Sequence, residues 1–245
     1  MTQARADELA RARDYPYEVP DASYVLFEGE ALDLTHYKVD DLDQRTAVLA
    51  YGSNAAPSQL KRKFAATLKD EMVPVLKAFL PGFDVVFSAR LSRYGAIPAT
   101  LAPSKGTVLE TFVTCLTDGQ LAKMHETEID TGKRGGYRYG VLSGVRMLVD
   151  RIGLLEKVHL YHYAHALAQD ERPFAYEGIK AEGRELLALS HVQALADLHG
   201  AGDEAGLNAS ILNGIDDAEA RSKQTERLRE DAILVRLPRF KKILP

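Results

Sequence analysis

From residue 46 to residue 165 the chain is divided by glycines and prolines into short apolar or alternating runs, broken by two short helical patterns. Thr46-Ala-Val-Leu-Ala-Tyr51 is apolar almost throughout and stops at Gly52, the pattern of a strand buried on both faces. Val73–Leu80 and Phe83–Ala89 flank Pro81-Gly82, which reads as a turn between two strands. Ala99–Pro103 runs into Ser104-Lys105-Gly106, a second turn, and Val108–Leu116 then alternates apolar and polar residues like a half-buried strand. Tyr137–Val149 and Glu156–His165 read as the last strands. One helix runs from Pro57 to about Leu68, with proline in its first turn and Leu60, Phe64 and Leu68 recurring every fourth residue. Asp118–Thr127 reads as the other, with Leu121 and Met124 on one face. Several short strands with two short helices predict a mixed α+β, barrel-like domain, not a doubly wound sheet.

The flanks differ in character. Residues 2–13 pattern as a helix with Leu9 as almost its one large apolar residue, and Pro16 and Pro20 separate it from a short strand at Ser23–Phe27. Residues 33–45 are acidic and turn-like. From about residue 170 the pattern turns helical, at Arg184–Leu198, Gly206–Leu212 and Ile215–Glu230, with Gly200, Gly202 and Gly206 as interruptions. The expected organisation is an N-terminal helix or arm over 1–22, a core domain over 23–168, and a helical extension over 169–245 packed on that core.

Several function classes are excluded early. No apolar run reaches 18 residues, so no helical membrane span is expected, and the polar first 20 residues carry no signal core. The expectation is a cytoplasmic protein. Cys115 is the single cysteine, which excludes an internal disulfide and an all-cysteine metal site, and its alternating strand predicts a small buried residue. A formal net charge of −4 gives no reason to expect nucleic acid, and the basic stretch Arg236–Lys242 reads as a solvated tail. His159, His162 and His165 alternate faces in a strand and are assigned structural roles, not metal ligation. Ser53 lacks a Gly-x-Ser-x-Gly elbow, and Gly132-Lys133 is followed by Arg134 where a phosphate loop needs Ser or Thr.

Two features carry chemistry. Strand, Gly52-Ser53-Asn54 and a helix opening at proline make a turn whose amides converge and whose helix end favours an anion. The plain alternative is that Ser53 and Asn54 only cap the helix. The second feature is Glu126 and Glu128 in Met124-His125-Glu126-Thr127-Glu128. Two apart on a helix, they point in different directions, so at most one faces a pocket. A carboxylate enclosed by apolar strands suits proton transfer near neutrality. The alternative is a pair of solvated helix-end acids.

In their order, AYGSN, FLPGFDVVF, ATLAPSKGTVLETFVTCLTDGQLAKMHETE and a Tyr-x-Tyr strand resemble the gamma-glutamylcyclotransferase-like family over residues 46–165, about half of the chain. The resemblance implies that Tyr51, Gly52, Ser53 and Asn54 form a loop holding a glutamyl group. It also implies that Glu128 is a general acid/base and that Tyr137 or Tyr139 supplies a downstream tyrosine. Met124-His125 stands where the family has Leu-Asp, Ile129 where it has glycine, and Asp130–Gly136 lengthens the next turn.

The implied activity is that of a cyclotransferase, an amine-releasing lyase of γ-glutamyl or glutathione metabolism. It converts a γ-glutamyl amino acid or amine to 5-oxoproline, and ring closure within one molecule requires no metal or cofactor. The implied partner is a small γ-glutamyl molecule, with neither nucleic acid nor membrane, and a homodimer is left open. The competing expectation is a catalytically silent protein that binds a ligand or partner on the same fold. A third is related acyl or amide chemistry there.

Overall fold

The computed structural model describes residues 1–36, 41–64, 71–129 and 136–244. Leu68 and most of the Asp130–Gly136 turn lie outside these residues.

Strand β1 (Tyr24–Phe27) and strand β2 (Glu30–Asp33) form a hairpin closed by Glu28 and Gly29, both at positive φ, as a two-residue turn requires. Five longer strands follow: β3 (Thr46–Ala50), β4 (Val73–Phe87), β5 (Ala99–Leu116), β6 (Arg138–Val149) and β7 (Gly153–His162). They close on themselves. β5 pairs antiparallel with β3, β3 parallel with β7, β7 antiparallel with β6, β6 antiparallel with β4, and β4 antiparallel with β5. The seam between β6 and β4 is short, Ala78 to Val149 and Phe79 to Leu148, and it turns a sheet into a closed five-stranded barrel.

Alternation along the strands divides the core in two. Leu49 of β3 and Val113 and Cys115 of β5 join one cluster with Leu76, Leu142 and Leu160. Val48 and Ala50 of β3, with Phe112 and Leu116 of β5, join another. Helix α2 (Pro57–Phe64) and helix α3 (Asp118–Glu128) cover this second cluster with Leu60, Phe64 and Met124. This double burial is why β3 is apolar throughout. Cys115 is buried, and desolvation pushes its thiol up to about 12.

Pro81-Gly82 and Ser104-Lys105-Gly106 do not end strands, contrary to expectation. β4 runs through the first pair and β5 through the second. Pro81 pairs with Val108 and Phe83 with Pro103, so residues 104–107 of β5 face Gly82 alone. Gly82 and Gly106 both sit at φ +85°, and the Ser104 and Thr107 hydroxyls bond at 2.7 Å across the excursion. Turn chemistry placed at the same height on two paired strands produces a shared bulge that bends both.

The C-terminal region is less helical than its sequence pattern suggests. Helices α4 (His191–His199), α5 (Glu204–Asp216) and α6 (Ala218–Glu230) are present, but extended segments surround them. Strand β8 (His165–Gln169) pairs with 232–234, residues 181–182 pair with Leu109 and Val108 of β5, residue 175 pairs with Val86 of β4, and 240–244 pairs with β6. Residues 184–190, expected to be helical, are irregular with a two-residue strand at 188–189, and α4 starts only at the Ser190 cap. Arg184 there forms a two-pronged bond to Asp84, at 2.8 and 2.9 Å. Asp84 lies on β4 and has no exposure, so the pair locks the segment to the barrel.

Helix α1 (Gln3–Arg13) lies against α5. Leu9 and Ala12 are buried in the first core, Arg5 reaches Asp216, and Arg13 reaches Glu204 and Asn208 at 2.6 and 3.0 Å. His191 ties three parts together: its Nδ1 donates to the Arg13 carbonyl and its Nε2 accepts from the Ile97 N–H, both at 3.1 Å.

Candidate functional site

β3 ends at Ala50, and the chain enters a 3-10 turn at Ser53–Ala55 before α2. The Ala55 and Ala56 N–H groups are used by the turn, bonding the Gly52 and Ser53 carbonyls. Gly52 is required by proximity: a Cβ there would meet Tyr15 Oη at 2.6 Å and Ala99 Cβ at 3.3 Å. Tyr15 Oη accepts the Ala99 N–H at 2.9 Å and also bonds the Ser53 backbone. A tyrosine from the N-terminal arm thus packs behind the loop and takes up one of the amides that the sequence reading assigned to a ligand.

Asn54 does not cap α2. Its side-chain amide donates to Glu128 Oε1 at 3.3 Å. Glu128 closes α3, whose start is fixed by a capping box between Thr117 and Gln120. Gln120, Met124 and Glu128 are four residues apart and share a helix face; the first two are buried. Glu126 is exposed at the cavity rim and pairs with Lys123 at 2.6 Å.

A carboxylate at a helix C-terminus faces the negative end of the helix dipole. Lys63 of α2 offsets this: its ammonium contacts the same Oε1 of Glu128 and lies 3.4 Å from Met124 Sδ. The Lys63 side chain is 5% exposed and that of Glu128 16%. Both donors fall on Oε1, and among the described residues none reaches Oε2.

Tyr51, Gly52, Ser53, Asn54, Glu128 and Tyr137 line one open cavity of about 940 Å³, within the range of small-molecule sites, about 300–1,000 Å³. Tyr51 contributes its ring, while its hydroxyl donates to the Tyr161 carbonyl. Tyr137 Oη donates to the Ala99 carbonyl at 2.5 Å. Burial pushes both phenols well above their ordinary range, so each is neutral and acts as a donor. Tyr139 is not in this wall. Its hydroxyl bonds His159 Nδ1 at 2.7 Å and its ring meets His125 edge-on at 4.5 Å.

Several lining residues were not singled out from sequence. Lys63 had a visible signal, a lysine on the buried side of α2 next to Phe64. Arg11 and Tyr15, and Arg90 with Tyr94, had none, because the arm and the loop after β4 approach the site only through packing. Gly95 shows how tightly: at φ +81° it faces Ile211 and Ile215 of α5 and Ala12 of α1 within 3.4 Å of a Cβ position.

The three histidines part ways. His159 bonds Tyr139, His162 is buried against Thr100 and the Val235 carbonyl, and His165 is exposed. Among the described residues no group of three or more His, Cys, Asp or Glu side chains is placed to hold a metal ion. No helix among them is long and apolar enough to cross a membrane.

Compared with known proteins, the chain matches no family model and no curated sequence. One solved structure, At5g39720.1 from Arabidopsis thaliana, is similar at 22% identity over 49% of this chain and 69% of that one. Its TM-score is 0.32, too low to support an argument about fold or chemistry.

Proposed function

We propose that this protein is a cyclotransferase that releases an amine from a γ-glutamyl compound and forms 5-oxoproline, with Glu128 as the general acid/base. The observation that carries the reading is the state of the Glu128 carboxylate. It is largely withdrawn from water at the wall of a ligand-sized cavity, with Oε1 held by Asn54 and Lys63 and Oε2 without a donor among the described residues.

In this reaction Glu128 Oε2 accepts a proton from the substrate α-ammonium. The freed amine attacks the γ-carbonyl carbon, forming the ring C–N bond. As the tetrahedral intermediate collapses, Glu128 returns its proton to the leaving nitrogen and the bond to that nitrogen breaks, while the ring nitrogen gives up its second proton, which ends on the released amine as an ammonium. Atoms and charge balance without water, metal or redox partner. The rate gain comes from holding nucleophile and electrophile together and from proton transfer, worth about 10²–10⁴-fold for the latter. Asn54 and Lys63 orient the carboxylate, and the N–H groups of Gly52 and Asn54 are not used by their own 3-10 turn.

The test is release of 5-oxoproline from a panel of γ-glutamyl dipeptides, γ-glutamylamines and glutathione. Turnover by the wild type, lost in a folded Glu128→Gln variant, supports the reading. A second reading, ligand binding without turnover, is favoured by one feature: the Lys63 ammonium competes with a substrate amine for the carboxylate. Absence of turnover together with ligand-dependent thermal stabilisation would select it.

A further inference from the structure

Six basic and three acidic side chains line the cavity, in a chain whose formal net charge is −4. The three acids are all matched: Glu8 by Arg5, Glu126 by Lys123 and Glu128 by Lys63. Arg11, Arg62, Arg90 and Arg93 remain, and none has a carboxylate partner among the described residues. Arg62 and Arg93 are exposed, where an unpaired arginine needs no explanation. Arg11 and Arg90 are half-buried, and there an unmatched guanidinium carries a desolvation cost.

Aromatic rings hold both in place. Arg11 lies 4.4 Å over the Tyr94 ring, and its Nε is inaccessible and without a hydrogen-bond partner. Arg90 lies over the neighbouring Tyr137 and Tyr163 rings, at 5.5 and 5.6 Å from their centres. Stacking fixes the plane of a guanidinium and leaves its N–H edge to fork onto a carboxylate. Tyr137, one of the rings under Arg90, also lines the wall with Glu128.

We infer that Arg11 and Arg90 form an anion subsite that selects γ-glutamyl compounds whose leaving half carries an extra carboxylate, that is, a γ-glutamyl peptide of an acidic amino acid. The inference rests on the cyclotransferase reading for the γ-glutamyl half alone. The subsite disfavours a leaving half with a cationic side chain, since four uncompensated positive charges then face another.

The experiment compares γ-glutamyl-glutamate, γ-glutamyl-glutamine and γ-glutamyl-lysine as ligands of Glu128→Gln by titration calorimetry at low and high salt. The same three are assayed as substrates of the wild type for KM and kcat. The acidic peptide is expected to bind about tenfold or more tightly than its amide, the size of a charge-assisted pair, with the lysine peptide weakest. Arg11→Gln and Arg90→Gln, checked for folding by circular dichroism, should each erode this preference, and Arg90→Lys should keep part of it. Equal affinity for acid and amide, a preference untouched by either substitution, or no binding of the acidic peptide overturns the inference. The two readings fail separately. Preferential binding without 5-oxoproline release sinks the cyclotransferase and leaves the subsite, whereas equal turnover of all three peptides sinks the subsite and leaves the cyclotransferase.

Discussion

Asn54 and Glu128, 74 residues apart in the chain, meet at 3.3 Å where the turn after β3 faces the last residue of α3. The amide holds Glu128 Oε1, and among the described residues no donor reaches Oε2. Asn54→Ala should lower kcat for 5-oxoproline release about tenfold with a small change in stability, because one neutral-to-charged hydrogen bond is lost. An Asn54→Ala enzyme with unaltered kcat and KM would remove Asn54 from the site.

Lys63 compensates a carboxylate that is largely withdrawn from water. Lys63→Met keeps the length of the side chain and removes its charge. Glu128 is then left without its cation at a largely buried position, so the variant should lose about 3 kcal/mol of stability, read from urea midpoints. An unchanged midpoint would mean the ammonium does not compensate the carboxylate.

Gly52 and Tyr15 compete for the same space, a Cβ at 52 lying 2.6 Å from Tyr15 Oη. Gly52→Ala should destabilise by about 1–3 kcal/mol, as overpacking does. Adding Tyr15→Phe should recover part of that loss, and thermal melts of the two single variants and the double variant measure the coupling. Strict additivity would show that the two residues do not touch.

Asp84 has no exposure and is neutralised by Arg184 through two bonds. Arg184→Leu strands the carboxylate in the barrel wall and should cost about 3–5 kcal/mol. Asp84→Asn together with Arg184→Leu should be milder than Arg184→Leu alone, because no buried charge is then left unpaired. Urea midpoints check the order.

His162 and His191 are buried neutral, and desolvation lowers each from 6.5 to about 4. The unfolded chain protonates them near 6.5, the folded chain only near 4, so between these values the unfolded state binds more protons. Stability is therefore full above pH 6.5 and is lost as pH falls toward 4, with a slope of up to about 1.4 kcal/mol per pH unit for each histidine. His191→Gln should flatten the fall. A melting temperature that stays level from pH 7 to pH 4.5 would contradict the burial of both rings.

The sequence by itself determined the kind of fold. The apolar run at Thr46–Ala50, the four-residue spacing of Leu60 and Phe64, and the alternation along Val108–Leu116 each carry their own period, and a period requires no tertiary information. Those local patterns suffice for an α+β barrel with helices beyond it. They also mark the turn at Gly52–Asn54 and the helix-end glutamate as places of special chemistry.

What only the tertiary structure decided depends on contacts between distant residues. Pro81-Gly82 has the same local chemistry whether it ends a strand or bends one, and the pairing of Pro81 with Val108 selects the bend. Residues 184–190 pattern as a helix, but the Arg184 bond to Asp84 and the pairing of 188–189 with 175–176 hold them out of one. At the site, Glu128 and the Gly52–Asn54 turn are each visible in the sequence, whereas their meeting, and the approach of Lys63, Arg11 and Arg90, joins separate stretches of chain. Charge and packing at a cavity wall are sums over space, and a pattern that repeats along one chain direction does not contain them.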